Sequence, residues 1–428
     1  MADATIIALS SGAPPAAIGV IRISGPQAGE CLKRLTGSLP APRRTSLRRL
    51  RDPIDGAMLD SALVLWFSGP RTATGEDLAE LHVHGGRAVV AAVLAALARI
   101  DGVRMAEPGE FTRRAFANGA IDLLQAEGLA DLLSAETESQ RRNAIAMTGG
   151  ALGRRIGEWQ DALLRESAML EAVIEYDDEG DVQVDPAEIE GRIGTLIASI
   201  DDALARPTAE RLKDGVRVVI AGPPNAGKST LLNAIAGRDV AITSPIAGTT
   251  RDVIEAPLVI AGVPFLFRDT AGLRDAPSEE IEEIGIGLAE QAVRTADIVL
   301  WLGAPDAAPD GNVILVRARC DLDGTERPSA RRIPVSAVTS HGMDTLIAAI
   351  VDRASQLLPG EGEIALNRRQ RDVIARCVAE LRLALERTDI ILIAEHLRAG
   401  RSILDQLTGA AGTEHMLDAL FGRFCIGK

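Results

Sequence analysis

A glycine-rich turn with a lysine and a serine lies between an apolar run and a helix-forming run. The turn, Gly222-Pro223-Pro224-Asn225-Ala226-Gly227-Lys228-Ser229, fits the pattern G-x-x-x-x-G-K-[ST], with Val216 to Ala221 before it and Thr230 to Ala236 after it. Backbone N–H groups of such a turn surround nucleotide phosphates, the lysine reaches the β- and γ-phosphates, and the serine hydroxyl ligates Mg²⁺. We therefore predict a nucleotide site whose first contacts are Asn225, Ala226, Gly227, Lys228, Ser229 and Thr230.

Two further segments indicate a GTPase that switches with its nucleotide. Gly248-Thr249-Thr250-Arg251-Asp252 follows the P-loop helix, and its Thr250 is the candidate second Mg²⁺ ligand. After the apolar run Val263 to Phe267, the segment Asp269-Thr270-Ala271-Gly272 has the D-x-x-G arrangement. Its aspartate holds Mg²⁺ through water, and its glycine N–H contacts the γ-phosphate, so the γ-phosphate can order both loops. The predicted GTP contacts here are Thr249, Thr250, Asp269, Thr270, Ala271 and Gly272, together with Ser244.

The residue after this glycine is Leu273, which has no polar atom to orient the attacking water as the glutamine of Ras-like switches does. We expect a monovalent cation beside the phosphates to supply charge where an arginine finger otherwise would, held by Asn225 together with Ser244, Ile246 and Thr249. This predicts dependence on K⁺. Glu282 is the candidate water-orienting carboxylate; the alternative is a solvated surface glutamate, because Glu279, Glu280, Glu282 and Glu283 lie together.

The base-recognition motif is degenerate. Where guanine-binding GTPases have N-K-x-D, this chain reads Ala318-Arg319-Cys320-Asp321. Asp321 accepts hydrogen bonds from guanine, Arg319 can stack its stem on the ring, and Ala318 removes one polar contact. Pro334-Val335-Ser336-Ala337 resembles the final base-contacting loop, with Ser336 and Ala337 as contacts. We expect GTP to remain favoured over ATP, by a reduced margin.

Composition limits the class of protein. The chain has 428 residues, 46% of them hydrophobic, so two or three globular domains are expected. A formal net charge of −14 argues against nucleic-acid binding across the whole surface, so any RNA contact is expected to be local or supplied by a partner. No membrane segment is predicted. The four cysteines, Cys31, Cys320, Cys377 and Cys425, include no C-x-x-C pair, which predicts a reducing cytoplasm with neither a zinc site nor a disulfide framework.

Periodicity predicts an α/β and α+β multidomain chain. Short β-rich runs (18–23, 62–67 and 77–83) and a helix over 87–100 indicate an N-terminal α+β domain, residues 1–111. Helical periodicity covers residues 112–212 and returns over 359–428, on either side of a Ras-like P-loop domain at 213–358. The nucleotide domain is therefore predicted to be inserted into an α-helical domain. The acidic segment Tyr176 to Pro186 is predicted to connect two helices.

The chain resembles the family of tRNA wobble-uridine-modifying GTPases called MnmE or TrmE. Besides the GTPase motifs, the resemblance rests on Ile18-Gly19-Val20-Ile21-Arg22-Ile23-Ser24-Gly25, Thr74-Gly75-Glu76-Asp77 with Glu80 and His84-Gly85-Gly86, and Pro108-Gly109-Glu110-Phe111-Thr112. It continues through Arg114-Ala115-Phe116 and Asn118-Gly119 to Phe424-Cys425-Ile426-Gly427-Lys428. Few other GTPases end in C-I-G-K.

The resemblance implies GTP hydrolysis that accompanies installation of an aminomethyl or carboxymethylaminomethyl group at C5 of the wobble uridine of certain tRNAs. It implies a one-carbon donor, 5-formyl- or 5,10-methylene-tetrahydrofolate, bound by the N-terminal domain of a homodimer through Arg22, Glu80 and Lys428. It also implies an FAD-containing partner, MnmG or GidA. Cys425 is a candidate for the chemistry, alongside Lys228, Asn225 and Glu282; a buried apolar thiol is the alternative. A ribosome-assembly or regulatory GTPase is the rival function.

Three segments have local features that lead to further expectations. Ala120 stands where the family usually has a lysine that binds the folate tail, so weaker folate binding is expected. Only Gly303 to Gly311 separate two strands of the nucleotide domain, too few for a crossover helix, so a tight loop over the sheet end is expected. The run Arg43-Arg44, Arg48-Arg49, Arg51 is interpreted as a solvated loop, with contact to tRNA phosphates as the alternative.

Overall fold

The computed structural model describes residues 4–175, 186–237, 241–242, 255–269, 290–322, 331–360, 363–409, 414–422 and 424–427. The chain divides into two compact units. The first comprises residues 1–130, 148–154 and 405–428, and the second comprises residues 131–147 and 155–404. The three-domain division made from the sequence stays a prediction.

The N-terminal part of the first unit is a six-stranded sheet with two helices. The strands are β1 (Thr5–Leu9), β2 (Ile18–Ser24), β3 (Ser46–Arg51), β4 (Met58–Phe67), β5 (Leu78–His84) and β6 (Val103–Met105), in the order β3-β4-β5-β2-β1-β6. Helices α1 (Ala28–Thr36) and α2 (Arg87–Ala98) share one buried core with the sheet, in which Leu32 and Val93 pack with Ile21 and Leu81. The predicted α+β domain is confirmed. The solvated loop expected around Arg48 is wrong, because Ser46–Arg51 forms the edge strand β3.

Helices dominate the segments on either side of the nucleotide-binding part, as the periodicity predicts. Before it come α3 (Glu110–Ala117), α4 (Leu123–Leu133), α5 (Glu138–Thr148), α6 (Ala151–Glu175), α7 (Pro186–Ala205) and α8 (Ala209–Lys213). Within it lie α9 (Lys228–Ala236) and α10 (Met343–Ser355), and after it come α11 (Arg368–Leu385), α12 (Ile390–Thr408) and α13 (Glu414–Phe421). Most of the acidic connection predicted at Tyr176 to Pro186 lies outside the described residues. No helix within the described ranges is both long and apolar enough to cross a membrane.

The nucleotide-binding part is a seven-stranded sheet. Its strands are β7 (Val216–Ala221), β8 (Ala241–Ile242), β9 (Glu255–Ile260), β10 (Val263–Asp269), β11 (Ile298–Trp301), β12 (Val313–Arg317) and β13 (Ile333–Pro334), in the order β13-β12-β11-β7-β10-β9-β8. Strands β7 and β10 to β13 are parallel, and β8 and β9 complete the sheet by antiparallel pairing. The parallel strands therefore end at one edge, where α/β sheets bind their ligands.

The short connection between β11 and β12 is a tight loop, as the sequence predicts. The two strands pair in parallel with Val299 opposite Val313, and between them the chain makes only a 3₁₀ turn at Pro305–Ala307. The Trp301 indole N–H donates to the Ala304 carbonyl at 2.8 Å, and Arg332 donates to the Gly303 carbonyl at 3.0 Å. Side-chain hydrogen bonds thus hold the loop where a crossover helix is missing.

Candidate functional site

The phosphate end of the nucleotide site is formed by the turn between β7 and α9. Asn225 has a left-handed backbone with φ 61, which asparagine tolerates better than most residues, and its side chain is exposed. Gly227 has φ 90, and a Cβ there would lie 3.3 Å from Nε of Arg319. Glycine at 227 therefore serves both the turn and the close approach of Arg319. Lys228 begins the helix, two residues earlier than the helix-forming run suggested.

Lys228, Ser229 and Asp269 form the polar centre of this turn. The Lys228 side chain is buried, and its ammonium donates to the carbonyls of Gly222 at 3.1 Å and Pro223 at 3.0 Å. The Ser229 hydroxyl donates to Oδ2 of Asp269 at 2.5 Å, and Asp269 is buried at the carboxyl end of β10. A hydroxyl and a carboxylate in contact beside a phosphate-binding turn are the hard oxygen ligands that suit Mg²⁺.

The base end is formed by the loops that follow β12 and β13. The backbone N–H of Cys320 donates to the Val335 carbonyl at 3.2 Å, which joins the two loops. Asp321 is exposed, whereas Ser336 is fully buried and its hydroxyl accepts from the Thr339 N–H at 3.1 Å. Through Arg319 the same loop reaches the P-loop, so the structure brings the described phosphate and base residues to one sheet edge.

Ala318 lies at the end of β12 and packs against the apolar core of the nucleotide-binding part. Restoring the missing amide by Ala318→Asn is expected to tighten GDP binding by roughly 1 to 3 kcal/mol, because one buried polar contact is regained. Titration calorimetry with GDP and ADP measures it. Unchanged GDP affinity would mean that other groups hold the base.

Several predicted contacts lie outside the described residues. They are Ser244, Ile246, Thr249, Thr250, Thr270, Ala271, Gly272, Glu282 and Lys428. Their assignments to GTP, Mg²⁺, K⁺, water and folate stay predictions.

Arg22 and Glu80 form a half-buried pair on neighbouring strands of the first unit. They face each other directly across β2 and β5, and the guanidinium donates to Glu80 Oε1 from Nε at 3.2 Å and from Nη2 at 2.9 Å. The Arg22 guanidinium also lies 5.8 Å from the ring centre of Phe111. Glu80 Oε2 faces Nε2 of His82 at 3.5 Å. The sequence did not single out Phe111 or His82 for this cluster, although both lie in or beside the motifs quoted above.

The C-terminal segment packs against the strand next to this pair. Ile426 makes an antiparallel bridge with Pro108. Gly427 has φ 97, and a Cβ there would lie 2.3 Å from the carbonyl oxygen of Leu9 at the end of β1. Because Ala8 lies directly opposite Arg22, the C-terminus is held within a few residues of the Arg22–Glu80 pair.

The motifs that carry the family resemblance meet in a buried ion network. Arg114 donates to Glu76 at 3.1 Å and to Glu110 at 3.0 Å, and Arg104 also binds Glu110, at 2.5 Å. Burial acts to raise the pKa of Glu110, but hydrogen bonds from Arg104, the Glu107 N–H and Arg114 outweigh it and hold the pKa below 4.5. These ion pairs thus stabilise the fold around the Arg22–Glu80 pair.

The four cysteines are free and differ in exposure. Burial raises the pKa of Cys31 to about 11 and that of Cys377 to about 12, so both thiols stay protonated at neutral pH. Cys320 is half-buried, and Cys425 is exposed. Cys425 is therefore not the buried apolar thiol that was the alternative interpretation.

Comparison with known proteins agrees with these motifs. Residues 5–120 match the model of the GTP-binding protein TrmE N-terminus, and residues 123–425 match that of the MnmE helical domain. The tRNA modification GTPase MnmE of Rhizorhabdus wittichii is 58% identical over 430 residues, covering 100% of this chain and 97% of that protein. The protein of the same name from Novosphingobium aromaticivorans is 54% identical over 434 residues, covering 99% of each.

Among solved structures, the G domain of the T. maritima FeoB iron transporter aligns with 32% of this chain and 98% of that one, at 22% identity. The TM-score of that alignment is 0.23. The full-length sequence matches, together with the P-loop and its buried lysine, show that this chain is a GTP-hydrolysing enzyme and belongs to the MnmE family of tRNA modification GTPases.

Proposed function

We propose that the protein couples GTP hydrolysis to installation of an aminomethyl-type group at C5 of the wobble uridine of certain tRNAs, with a tetrahydrofolate one-carbon donor. The observation that carries this proposal is the packing of Gly427 against Leu9 of β1, the strand next to Arg22 and its partner Glu80, while Ile426 bridges to Pro108. A carboxylate suits the paired N–H donors of a pterin, and a guanidinium suits a carboxylate tail or a polar ring edge. The relatives' name supports the tRNA substrate.

For GTP hydrolysis, the chain's own residues position the phosphates. The Lys228 ammonium already donates to the Gly222 and Pro223 carbonyls within the turn. Little reorganisation is therefore needed when its hydrogen bonds pass to phosphate oxygens. Mg²⁺, when bound, neutralises charge on the β- and γ-phosphates, and Ser229 and Asp269 are the described residues that would hold it. K⁺ beside Asn225 would supply the charge that an arginine finger supplies elsewhere.

The K⁺ proposal predicts a salt-specific rate. GTP hydrolysis is expected to be faster in KCl than in NaCl at equal ionic strength. The two ions carry the same charge, so the proposed site at the exposed Asn225 must distinguish them by size. Asn225→Ala should abolish the difference. Steady-state phosphate release measures both, and equal rates for the unaltered protein in the two salts would refute the cation role.

The partners are proposed on the same basis. A homodimer would complete the folate site, and a hetero-oligomer with the FAD-containing MnmG (GidA) would supply redox chemistry. Cys425 is the exposed thiol nearest the C-terminus and is the proposed participant in one-carbon transfer. A cytoplasmic location stays a prediction.

Removing Gly427 and Lys428 is expected to reduce tRNA modification more than GTP hydrolysis. The reason is that Gly427 packs against Leu9 in the first unit, whereas Lys228 and Asp269 belong to the second. The loss of one charge-assisted contact in a half-buried site costs roughly 1.5 to 3 kcal/mol. Both activities should be measured on the same preparation.

Ala120→Lys provides the opposite change, since Ala120 is exposed and a lysine there is expected to raise affinity for 5-formyl-tetrahydrofolate. Equal losses of modification and hydrolysis in the truncated chain, or no folate binding by the full-length chain, would show that the assigned pocket is wrong.

A further inference from the structure

The edge strand β3 presents arginines on the side of the sheet away from α1 and α2. Arg49 lies opposite Ser61 and is exposed, while Leu50 points into the core that the helices cover. Because side chains alternate along a strand, Leu47 and Arg49 share the outer face, and the exposed Arg51 follows an irregularity in the register with β4. Arg43 and Arg44 immediately precede the strand. We call Arg43, Arg44, Arg49 and Arg51 the arginine edge.

The nearby carboxylates do not neutralise the arginine edge. Between residues 40 and 72 the only acidic side chains are Asp52, Asp55 and Asp60, and each is engaged elsewhere. Asp52 pairs with Arg99, Asp55 accepts from the Ala57 N–H at 2.8 Å, and Asp60 accepts from His84 at 2.8 Å.

The arginines of the edge make few contacts of their own. Arg51 donates to the Gly56 carbonyl at 3.0 Å, and Arg43 binds the Arg71 carbonyl and lies 5.7 Å from the ring centre of Phe67. Within the described part of the chain, none of the four has a carboxylate at salt-bridge distance. A concentrated positive surface thus stands on a chain whose net charge is −14.

The arginine edge lies on the same face as the Arg22–Glu80 pair. Directly opposite residues in antiparallel strands share a face, and the register aligns Leu47 with Leu63, Leu63 with His82 and His82 with Val20. Arg22 and Glu80 also lie directly opposite each other, two residues along from Val20 and His82, and therefore on the same face. Glu80 lies opposite Leu65 of β4 and Arg49 lies opposite Ser61, four residues away along that strand. Strands lie about 4.8 Å apart and rise about 3.3 Å per residue, so Arg49 is about 16 to 20 Å from the pair. That distance corresponds to about five or six stacked nucleotides of one strand at about 3.4 Å each.

We infer that the arginine edge binds the phosphodiester backbone of the RNA whose base is presented to the Arg22–Glu80 pair. This rests on the proposed function and adds the place where the tRNA backbone is held. Arginine suits the task because its planar guanidinium binds phosphate oxygens in pairs. The contact is local, as the overall negative charge requires.

The test compares two double variants of the full chain that each remove two positive charges. Arg49→Gln with Arg51→Gln alters the outer face, and the control, Lys33→Gln with Arg34→Gln, alters α1 on the opposite face. The probe is an anticodon stem-loop RNA, and its affinity is measured by filter binding at several KCl concentrations. The edge variant is expected to bind about tenfold more weakly and to lower the salt slope by about 1 to 2. The control should bind like the unaltered protein, and both variants should retain 5-formyl-tetrahydrofolate binding.

Equal RNA binding by the edge and control variants would overturn the inference, as would the absence of salt-dependent RNA binding by the unaltered chain. Normal RNA binding with lost tRNA modification in the edge variant would assign the surface to an acidic protein partner and would overturn it too. The proposed function is tested by a separate measurement. It would be refuted if the unaltered chain did not restore tRNA modification in a deletion strain.

Discussion

Lys228→Ala is expected to lower kcat/KM for GTP by a factor of about 10² to 10³, the usual cost of removing one preorganised group that stabilises charge in the transition state. The Lys228 side chain is only 6% exposed, and its ammonium is directed into the P-loop by two carbonyls. No other lysine lies within the P-loop to replace it. Phosphate release at saturating and limiting GTP measures the effect.

Lys213→Ala is the matched control. Lys213 is 49% exposed and pairs with Asp131 on the surface, so its removal should leave hydrolysis within about twofold of the unaltered rate, since exposed pairs are worth about 0 to 1 kcal/mol. If the two variants hydrolysed GTP at similar rates, the P-loop assignment would fail.

Glu110→Gln is expected to destabilise the first unit by roughly 3 kcal/mol, because it leaves Arg104 and Arg114 without a full countercharge at a buried site. The side chains of Glu110 and Arg114 are only 11% and 10% exposed. Urea unfolding followed by Trp66 fluorescence, with Trp159 and Trp301 replaced by phenylalanine, reports on this unit. Glu30→Gln, whose arginine partner is half exposed, is the control and should cost at most about 1 kcal/mol.

The carboxylate of Glu110 also makes the stability of the first unit depend on pH. Its folded pKa lies below the ordinary 4.5, so its contribution to stability is present above pH 4.5 and is lost as the pH falls through the folded pKa. The unaltered protein should therefore lose stability more steeply than Glu110→Gln as the pH falls below 4.5. Parallel stability curves for the two proteins over that range would contradict the ion network.

The phosphate-binding turn was predictable from sequence because its motif residues are contiguous. A six-residue run with five apolar residues, followed by a glycine-rich turn, predicts the limits of β7 as observed, and Asp269 ends β10 as the D-x-x-G motif requires. The start of α9 was placed late because Lys228 and Ser229 carry motif chemistry rather than apolar periodicity.

The first unit was less predictable because its contacts join distant positions. Glu76, Glu110 and Arg114 come from separate motifs, and no periodicity in the sequence shows that both glutamates pair with Arg114. Strand β3 was missed because its arginines resemble a solvated segment, although an edge strand with one open face accommodates charge readily. The contact of Gly427 with Leu9 likewise joins residues near opposite ends of the chain, which only the folded structure brings together.

The most direct test of the account is nucleoside analysis of tRNA from a strain that lacks this protein. The account predicts that C5 aminomethyl-type wobble uridines are absent from the deletion strain, return when the full-length chain is expressed, and do not return with Lys228→Ala. Undiminished wobble-uridine modification in the deletion strain would contradict it.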